Sequence, residues 1–242
     1  MKAIVYHQYG GPEVLQYVEV DRPTAGDDEV LLKVRAASVN PFDWHFMRGL
    51  PYGVRLIAGL GRPRSVRLGV DVAGVVDSVG RNVTGFKAGD EVLGSSRGAF
   101  AEYVCTRESA LAPKPANVTF EQAACVAIAG CTALQALRDK GKIQAGQKVL
   151  INGAAGGVGT FAVQIAKWFG ADVTGVCSSR NMDMVRAIGA DRVMDYARED
   201  STKVSEPYDL ILDNIGNHSL LECRRALKPQ GICVGAGGAS DP

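Results

Sequence analysis

The sequence predicts an α/β protein in two parts: a mostly antiparallel β domain, then a parallel sheet wound with helices. Three observations predict it. From Met1 to about Val118 short β-branched runs are separated by turn residues. From Lys148 onward strands alternate with helices of similar length. The first strand–helix junction of that second part is a glycine-rich turn.

The first part offers strands at Ala3–Tyr6, Gln16–Val20, Val30–Val34, Gly74–Val79, Glu91–Leu93 and Ala101–Cys105. Turn clusters such as GGP at 10–12, TAGDDE at 24–29 and KAGD at 87–90 separate them. Pro113 and Pro115 close the domain, and Thr119 with Gln122 three residues on forms a capping-box pattern that opens a helical stretch to about Gly141. We place the domains at 1–122 and 123–242. In the second, strands are expected at Lys148–Asn152, Asp172–Cys177, Arg192–Tyr196, Tyr208–Asn214 and Ile232–Gly235. Helices are expected at Val158–Phe169, Met182–Ile188 and Ser219–Leu227. A parallel sheet covered on both faces follows from that alternation.

Composition narrows the class. The chain has 242 residues, 46% of them hydrophobic, with 27 Lys and Arg against 26 Asp and Glu. That supplies a buried core and gives no basic excess, so no nucleic-acid partner is expected. The six cysteines show no C-x-x-C spacing, and the three histidines lie far apart in sequence. With no signal-length apolar start and no apolar run suited to a bilayer, the expectation is reduced thiols, a cytoplasmic location and no membrane span.

The chemistry is concentrated in Val149–Gly159. Ala154-x-Gly156-x-x-Gly159 fills the G-x-G-x-x-G frame between a strand and a helix, with Ala in the first place. A positive φ at Ala154 would be unfavourable, so any such demand there must be relaxed. Gly156 would let backbone approach a pyrophosphate, and Gly159 would let the helix pack against the sheet. The free N–H groups at the helix start would then hold the anion. About 20 residues on, where an NAD site carries Asp or Glu, the chain reads Cys177-Ser178-Ser179-Arg180. Hydroxyls and a guanidinium suit a 2′-phosphate, which points to NADPH. The alternative is that Ser178 or Ser179 caps the next helix and Arg180 is solvated.

With these residues in view, the sequence resembles the medium-chain dehydrogenase/reductase superfamily, in its zinc-independent quinone oxidoreductase branch. Within that branch it is similar to reticulon-4-interacting-protein-like NADPH reductases. The resemblance is carried by YGGPEVL (9–15), ASVNPFDW (37–44), GVDVAGVVDSVGRNVTGFKAGDEV (69–92), GAFAEYV (98–104), AGCTALQAL (129–137), NGAAGGVG (152–159) and YDLILDNIG (208–216). It implies a GroES-like β domain followed by a Rossmann domain. It also implies roles. Asn40 and Asp43 would fall in a loop facing the nicotinamide, and Thr132 near the nicotinamide ribose or phosphates. Ala155, Gly156, Gly157 and Val158 would form the pyrophosphate turn, while Ser178, Arg180 and Tyr196 would form the 2′-phosphate and adenosine pocket. Asn214 and the run from Gly235 to Gly238 would close the fourth and fifth strands beside the nicotinamide.

Zinc-dependent relatives carry Cys at the position of Asn40 and Gly-His-Glu at Gly69-Val70-Asp71. Lacking the thiolate and imidazole, this set is poor for zinc, and no metal is expected. His45 is either a general acid or a packed residue beside Trp44 and Phe46. Cys131 reads better as a small apolar residue near the cofactor pocket than as a reactive thiol. Trp44, Phe46 and Tyr52 line either an apolar substrate cleft or the core.

The implied activity is hydride transfer from NADPH to a small apolar electrophile, a quinone or an activated alkene or carbonyl. Alcohol oxidation would lack its Lewis acid. Relatives continue for about another third of this length, through a sixth strand that forms the usual edge of a homodimer. A non-catalytic NADPH-binding protein or truncated product, with a structural or interaction role, is therefore the second reading.

Overall fold

The computed structural model describes residues 1–203 and 205–236. Contacts divide the chain into two units, Met1–Ile128 and Ala129–Pro242.

In the first unit, β1 (Lys2–Val5) and β2 (Gln16–Glu19) form an antiparallel pair. A second antiparallel sheet contains β3 (Glu29–Ala36), β4 (Asp71–Val79), β5 (Glu91–Ser95), β6 (Tyr103–Arg107) and β7 (Leu111–Pro113), in the order β6-β3-β4-β5-β7. Alternating side chains turn to one face: Val30 and Leu32 meet Val72, Val76, Val92 and Val104 in a single apolar cluster. The other face is mixed: Lys33, Asp77 and Glu91 are exposed, while Ala73 and Leu93 pack in a second apolar cluster with Ala123 and Phe120.

Two helices the sequence reading did not identify stand between β3 and β4. They are α1 (Pro41–Arg48) and α2 (Val54–Ala58). The local reason is legible in hindsight. Pro41 occupies the first helical turn, where a missing N–H costs nothing. The Asn40 N–H donates to Asp43 Oδ2 at 2.8 Å, and Gly49, at φ 63°, ends the helix. Asn40 and Asp43 thus belong to a helix start rather than a loop.

The Thr119 capping box is present, with Gln122 N–H donating to Thr119 Oγ1 at 3.2 Å and Thr119 N–H to Gln122 Oε1 at 3.0 Å. It opens only α3 (Phe120–Ala123), not one helix to Gly141. The chain tightens at Cys125 and Val126, whose N–H groups reach carbonyls three residues back. The Ile128 N–H is then taken by Asp71 Oδ1 at 2.9 Å. A buried carboxylate therefore resets the helix, and α4 (Ala127–Leu134) runs on into a π-helical turn at Gln135–Lys140.

The second unit is a five-stranded parallel sheet of β8 (Lys148–Asn152), β9 (Asp172–Cys177), β10 (Arg192–Asp195), β11 (Tyr208–Asp213) and β12 (Leu227–Gly235). Its order is β10-β9-β8-β11-β12. The helices are α5 (Gly157–Trp168), α6 (Met182–Ala187) and α7 (Leu220–Ala226). Val149, Ile151, Leu210 and Leu212 pack with Ala162, Val163 and Ala166 of α5 and Val185 of α6 on one face. The intervening Leu150 and Ile211 pack with Cys223 and Ala226 of α7 on the other. A sheet buried on both faces explains why its strands read as unbroken apolar runs. Strand order reverses between β8 and β11, which makes the ends of these two strands the expected place for a ligand.

Candidate functional site

The site grows from the turn after β8. Ala154 is fully buried, and its N–H reaches Val176 O at 2.9 Å, tying the turn to β9. The left-handed conformation falls on Gly153, at φ 79°, one residue before the motif frame. This is how Ala is accommodated at 154. At Gly159 a Cβ would stand 2.1 Å from Gly153 O and 2.8 Å from Ala154 Cα, so only glycine lets α5 begin this close to the turn. Around Gly156 and Gly157 there is open space instead: an added Cβ would meet only Gly153 O at 3.4 Å and Ala129 Cβ at 3.8 Å, respectively. Gly157 and Val158 are the first residues of α5, where N–H groups have no carbonyl a turn earlier in the helix.

A cavity of about 410 Å³ opens at these strand ends. Of the residues expected to bind a cofactor, it gathers Ala155, Gly156, Ser178 and Tyr196. Gly157 and Val158 adjoin it through the helix start. Arg180 lies in the 3₁₀ turn Ser179–Asn181 just past Ser178, exposed and in no ion pair among the described residues. Ser178 accepts a hydrogen bond from Asn181 Nδ2 at 3.2 Å, so its hydroxyl is already oriented. Thr132 sits half-buried in α4, and Gly235 ends β12; neither lines the cavity. Gly237 and Gly238 lie outside the described residues.

Sequence reasoning missed Asn152, Gly153, Asn181, Ile215 and Asn217, all of which line the cavity. Asn152 is the last residue of β8, and its Nδ2 donates to Asp213 Oδ1 at 2.9 Å and Asn217 Oδ1 at 2.7 Å. Asp213 Oδ1 also accepts from the Ile215 and Gly216 N–H groups, at 3.0 and 2.9 Å. That carboxylate therefore shapes the 213–217 turn. Asn214 donates its Nδ2 to Asn152 O at 3.0 Å, which leaves its buried Oδ1 without a partner. Burial, followed by the charge of Asp195, pushes the Cys177 thiol up, so the cavity wall there is neutral. A signal was available: Asn152 and Asn214 both stand at ends of the two strands flanking the reversal of order.

In the first unit a second cluster surrounds the candidate catalytic residues. Asn40 Nδ2 donates to Asp71 Oδ2 at 3.0 Å and to Ser38 Oγ at 3.1 Å, and Ser38 Oγ donates to Asp71 Oδ2 at 2.8 Å. Asp43 is 3% exposed, and its two oxygens accept from the N–H groups of Asn40 and Gly69, at 2.8 and 3.0 Å. Burial raises its carboxyl above the usual range; those two N–H bonds oppose the rise and the charge of Asp71 adds to it. His45 stacks on Trp44 with ring centroids 3.9 Å apart, and its Nδ1 lies 2.7 Å from Leu50 O. Trp44 and Phe46 pack against the cluster of Tyr6, Val14, Met47 and Leu68, whereas Tyr52 is exposed. No three His, Cys, Asp or Glu side chains converge to hold a metal ion among the described residues.

The glycine cradle, the open cavity and the helix start fit a dinucleotide, and comparison with known proteins agrees. Residues 26–116 match the alcohol dehydrogenase GroES-like domain and residues 157–242 the zinc-binding dehydrogenase domain. The chloroplastic quinone-oxidoreductase homolog of Spinacia oleracea is 38% identical over 226 residues, covering 88% of this chain and 67% of the relative. The mitochondrial NAD(P)H oxidoreductase RTN4IP1 of Bos taurus is 38% identical over 242 residues, covering 89% and 60%. The chain thus spans about two thirds or less of these relatives. The quinone oxidoreductase of Coxiella burnetii superposes with a TM-score of 0.87 at 35% identity, over 96% of this chain and 74% of that one. The Escherichia coli quinone oxidoreductase complexed with NADPH gives 0.86 at 28% identity, over 100% and 76%. The chain belongs to the medium-chain dehydrogenase/reductase superfamily of nicotinamide-dependent oxidoreductases.

Proposed function

We propose that the chain is an NADPH-dependent, zinc-independent reductase of a quinone or an activated alkene or carbonyl. The observation that carries this reading is the end of β9. Ser178, Ser179 and Arg180 stand there with no carboxylate among them, beside a cavity walled by the glycine turn. A 2′-phosphate finds hydroxyls and an uncommitted guanidinium at this place, whereas a bare ribose lacks its usual acidic acceptor. Ala155 to Val158 would hold the pyrophosphate, with Tyr196 beside the adenosine, Asn214 and Gly235 beside the nicotinamide, and Thr132 near its ribose or the phosphates.

When bound, the nicotinamide supplies the hydride. The chain's residues bind and orient. Asn40 is a candidate positioning residue, since both its Nδ2 hydrogens go to Asp71 and Ser38, while Asp43 fixes the backbone of Asn40 and Gly69. His45 is the candidate proton source, its ring oriented by Leu50 O. Support for a zinc-free reaction comes from the donor set, since Asn40 and Asp71 are hydrogen-bonded to each other and bring neither thiolate nor imidazole. Six free cysteines, two of them buried, suit a reducing cytoplasm. No helix is long and apolar enough to cross a membrane among the described residues.

Titration of the chain with NADPH and with NADH, read by tryptophan fluorescence or calorimetry, tests the cofactor assignment. Tight NADPH binding with weak NADH binding is expected, followed by turnover of quinones or enones that a chelator leaves unchanged. Equal affinity for both cofactors, or alcohol turnover abolished by the chelator, would overturn it.

A further inference from the structure

Between Asp43 and Asp71 the sequence has no carboxylate and five arginines: Arg48, Arg55, Arg62, Arg64 and Arg67. This stretch forms most of α1, all of α2 and the loop into β4. Within it four large apolar side chains lie open: Tyr52 at 72% exposure, Leu56 at 71%, Ile57 at 73% and Leu60 at 72%. Single exposed apolar residues are ordinary, but a group confined to residues 52–60 marks a surface with a use.

The local geometry shows that this face is separate from the core. Val54 and Ala58, one helical turn apart on α2, point inward, so the helix already has its buried side. Leu56 lies on the opposite side and Ile57 on the exposed flank, with Leu60 just past the helix end. Arg55 is held by its Nε–H to Gly49 O at 3.0 Å and lies 5.0 Å over the Tyr52 ring. Arg62 and Arg64 are exposed and form no ion pair among the described residues. Elsewhere some exposed arginines are paired, Arg81 with Asp27 and Arg192 with Glu199, and others, such as Arg97 and Arg107, form no ion pair among the described residues, so what sets Arg62 and Arg64 apart is the apolar group beside them.

We propose that this face docks on an anionic lipid surface. Tyr52, Leu56, Ile57 and Leu60 would enter the boundary between headgroups and acyl chains, while Arg62 and Arg64 would meet lipid phosphates. Charge selects this occupant. A second copy seated face to face would bring Arg62 and Arg64 against the same two residues of its partner, which is unfavourable. The mode is adsorption to the surface, without a membrane span. An apolar electrophile of the kind proposed above would also concentrate in the bilayer. The experiment needs no turnover, however, so its failure and that of the reductase reading are distinguishable.

The test is co-sedimentation of the chain with vesicles of phosphatidylcholine alone and with added phosphatidylserine, over a range of salt. The variants are L56S/I57S and R62Q/R64Q, all at exposed positions, with the NADPH titration and circular dichroism as controls for folding. The wild type is expected to pellet with the anionic vesicles, weakly with neutral ones, and less as salt rises. L56S/I57S should lower partition at least tenfold. R62Q/R64Q should lower it by roughly fivefold per charge and flatten the salt dependence. A wild type that stays in solution with anionic vesicles would overturn the proposal. So would variants that pellet like the wild type, or self-association in solution that L56S/I57S abolishes, since the face would then belong to a second copy.

Discussion

Two glycines three residues apart have opposite duties, and the difference is measurable. At Gly159 any Cβ collides with backbone, whereas at Gly156 it projects into open space where a pyrophosphate would lie. Gly159→Ala should cost about 1–3 kcal/mol of stability through overpacking. Gly156→Ala should leave the melting temperature nearly unchanged yet weaken NADPH binding at least tenfold. Equal loss of stability in both variants would remove the distinction. Arg180→Ala isolates the second half of the cofactor reading. A charge-assisted hydrogen bond is worth about 1.5–3 kcal/mol, so NADPH affinity should fall by about 10- to 100-fold while NADH affinity holds. An unchanged ratio would return Arg180 to the solvent. The glycine turn was legible in the sequence because its shape is set by local backbone geometry, and Ser178 because it directly follows the end of β9. Asn152, Asn181 and Asn217 were not, because their place in the cavity wall arises only when strand ends distant in sequence converge.

The same contrast holds for elements. β8 to β11 lie within a residue of their expected places, since burial makes them continuous apolar runs between turn residues, whereas β12 begins at Leu227, five residues before the expected Ile232, in a stretch that is mostly half-buried or exposed. The helices α1 and α2 were missed because each is short, and Gly49, Pro51 and Gly53 between them look like loop. Asn40-Pro41 with Asp43 was the signal for α1. Register at the other end of the parallel sheet depends on charge. Asp209 on β11 accepts the Lys148 N–H of β8 and the Lys228 ammonium of β12, both at 2.8 Å. Burial pushes its carboxyl up, but the Lys228 and Lys148 bonds prevail and hold it below the ordinary range. A depressed carboxylate stabilises the fold above its unfolded pKa, about 3.9, and loses that contribution as pH falls through the folded value. Asp209→Asn should therefore melt earlier than the wild type at neutral pH, and the gap should close as the pH falls below the unfolded value and through the depressed folded one. A gap that stays constant through acid would mean that the carboxylate's charge contributes nothing.

At the scale of the molecule, the strand order β10-β9-β8-β11-β12 predicts where binding energy enters. A ligand at the point of reversal touches the ends of β8, β9 and β11 together, so it stabilises the sheet as a unit rather than one loop. At about one hundred times its dissociation constant, NADPH should add about 2.7 kcal/mol and raise the melting temperature by about 5–11 °C. Hydrogen exchange can locate that gain. Protection should concentrate at 153–160, 177–181 and 213–217, where the cavity wall and the helix start lie. A polar cavity of about 330 Å³ occupies the opposite ends of the same strands, walled by Lys148, Asp172, Arg192 and Glu206. Its charges are largely spent already: Lys148 pairs with Glu206 and Arg192 with Glu199. The free N–H groups of α5 are absent from it, so an anionic ligand has less to gain there. Protection by NADPH centred on that cavity would contradict both the strand-order argument and the cradle. Protection at the carboxyl ends, lost in Gly156→Ala while the sheet keeps its stability, would tie the cofactor to the turn that Ala154 and Gly159 hold in shape.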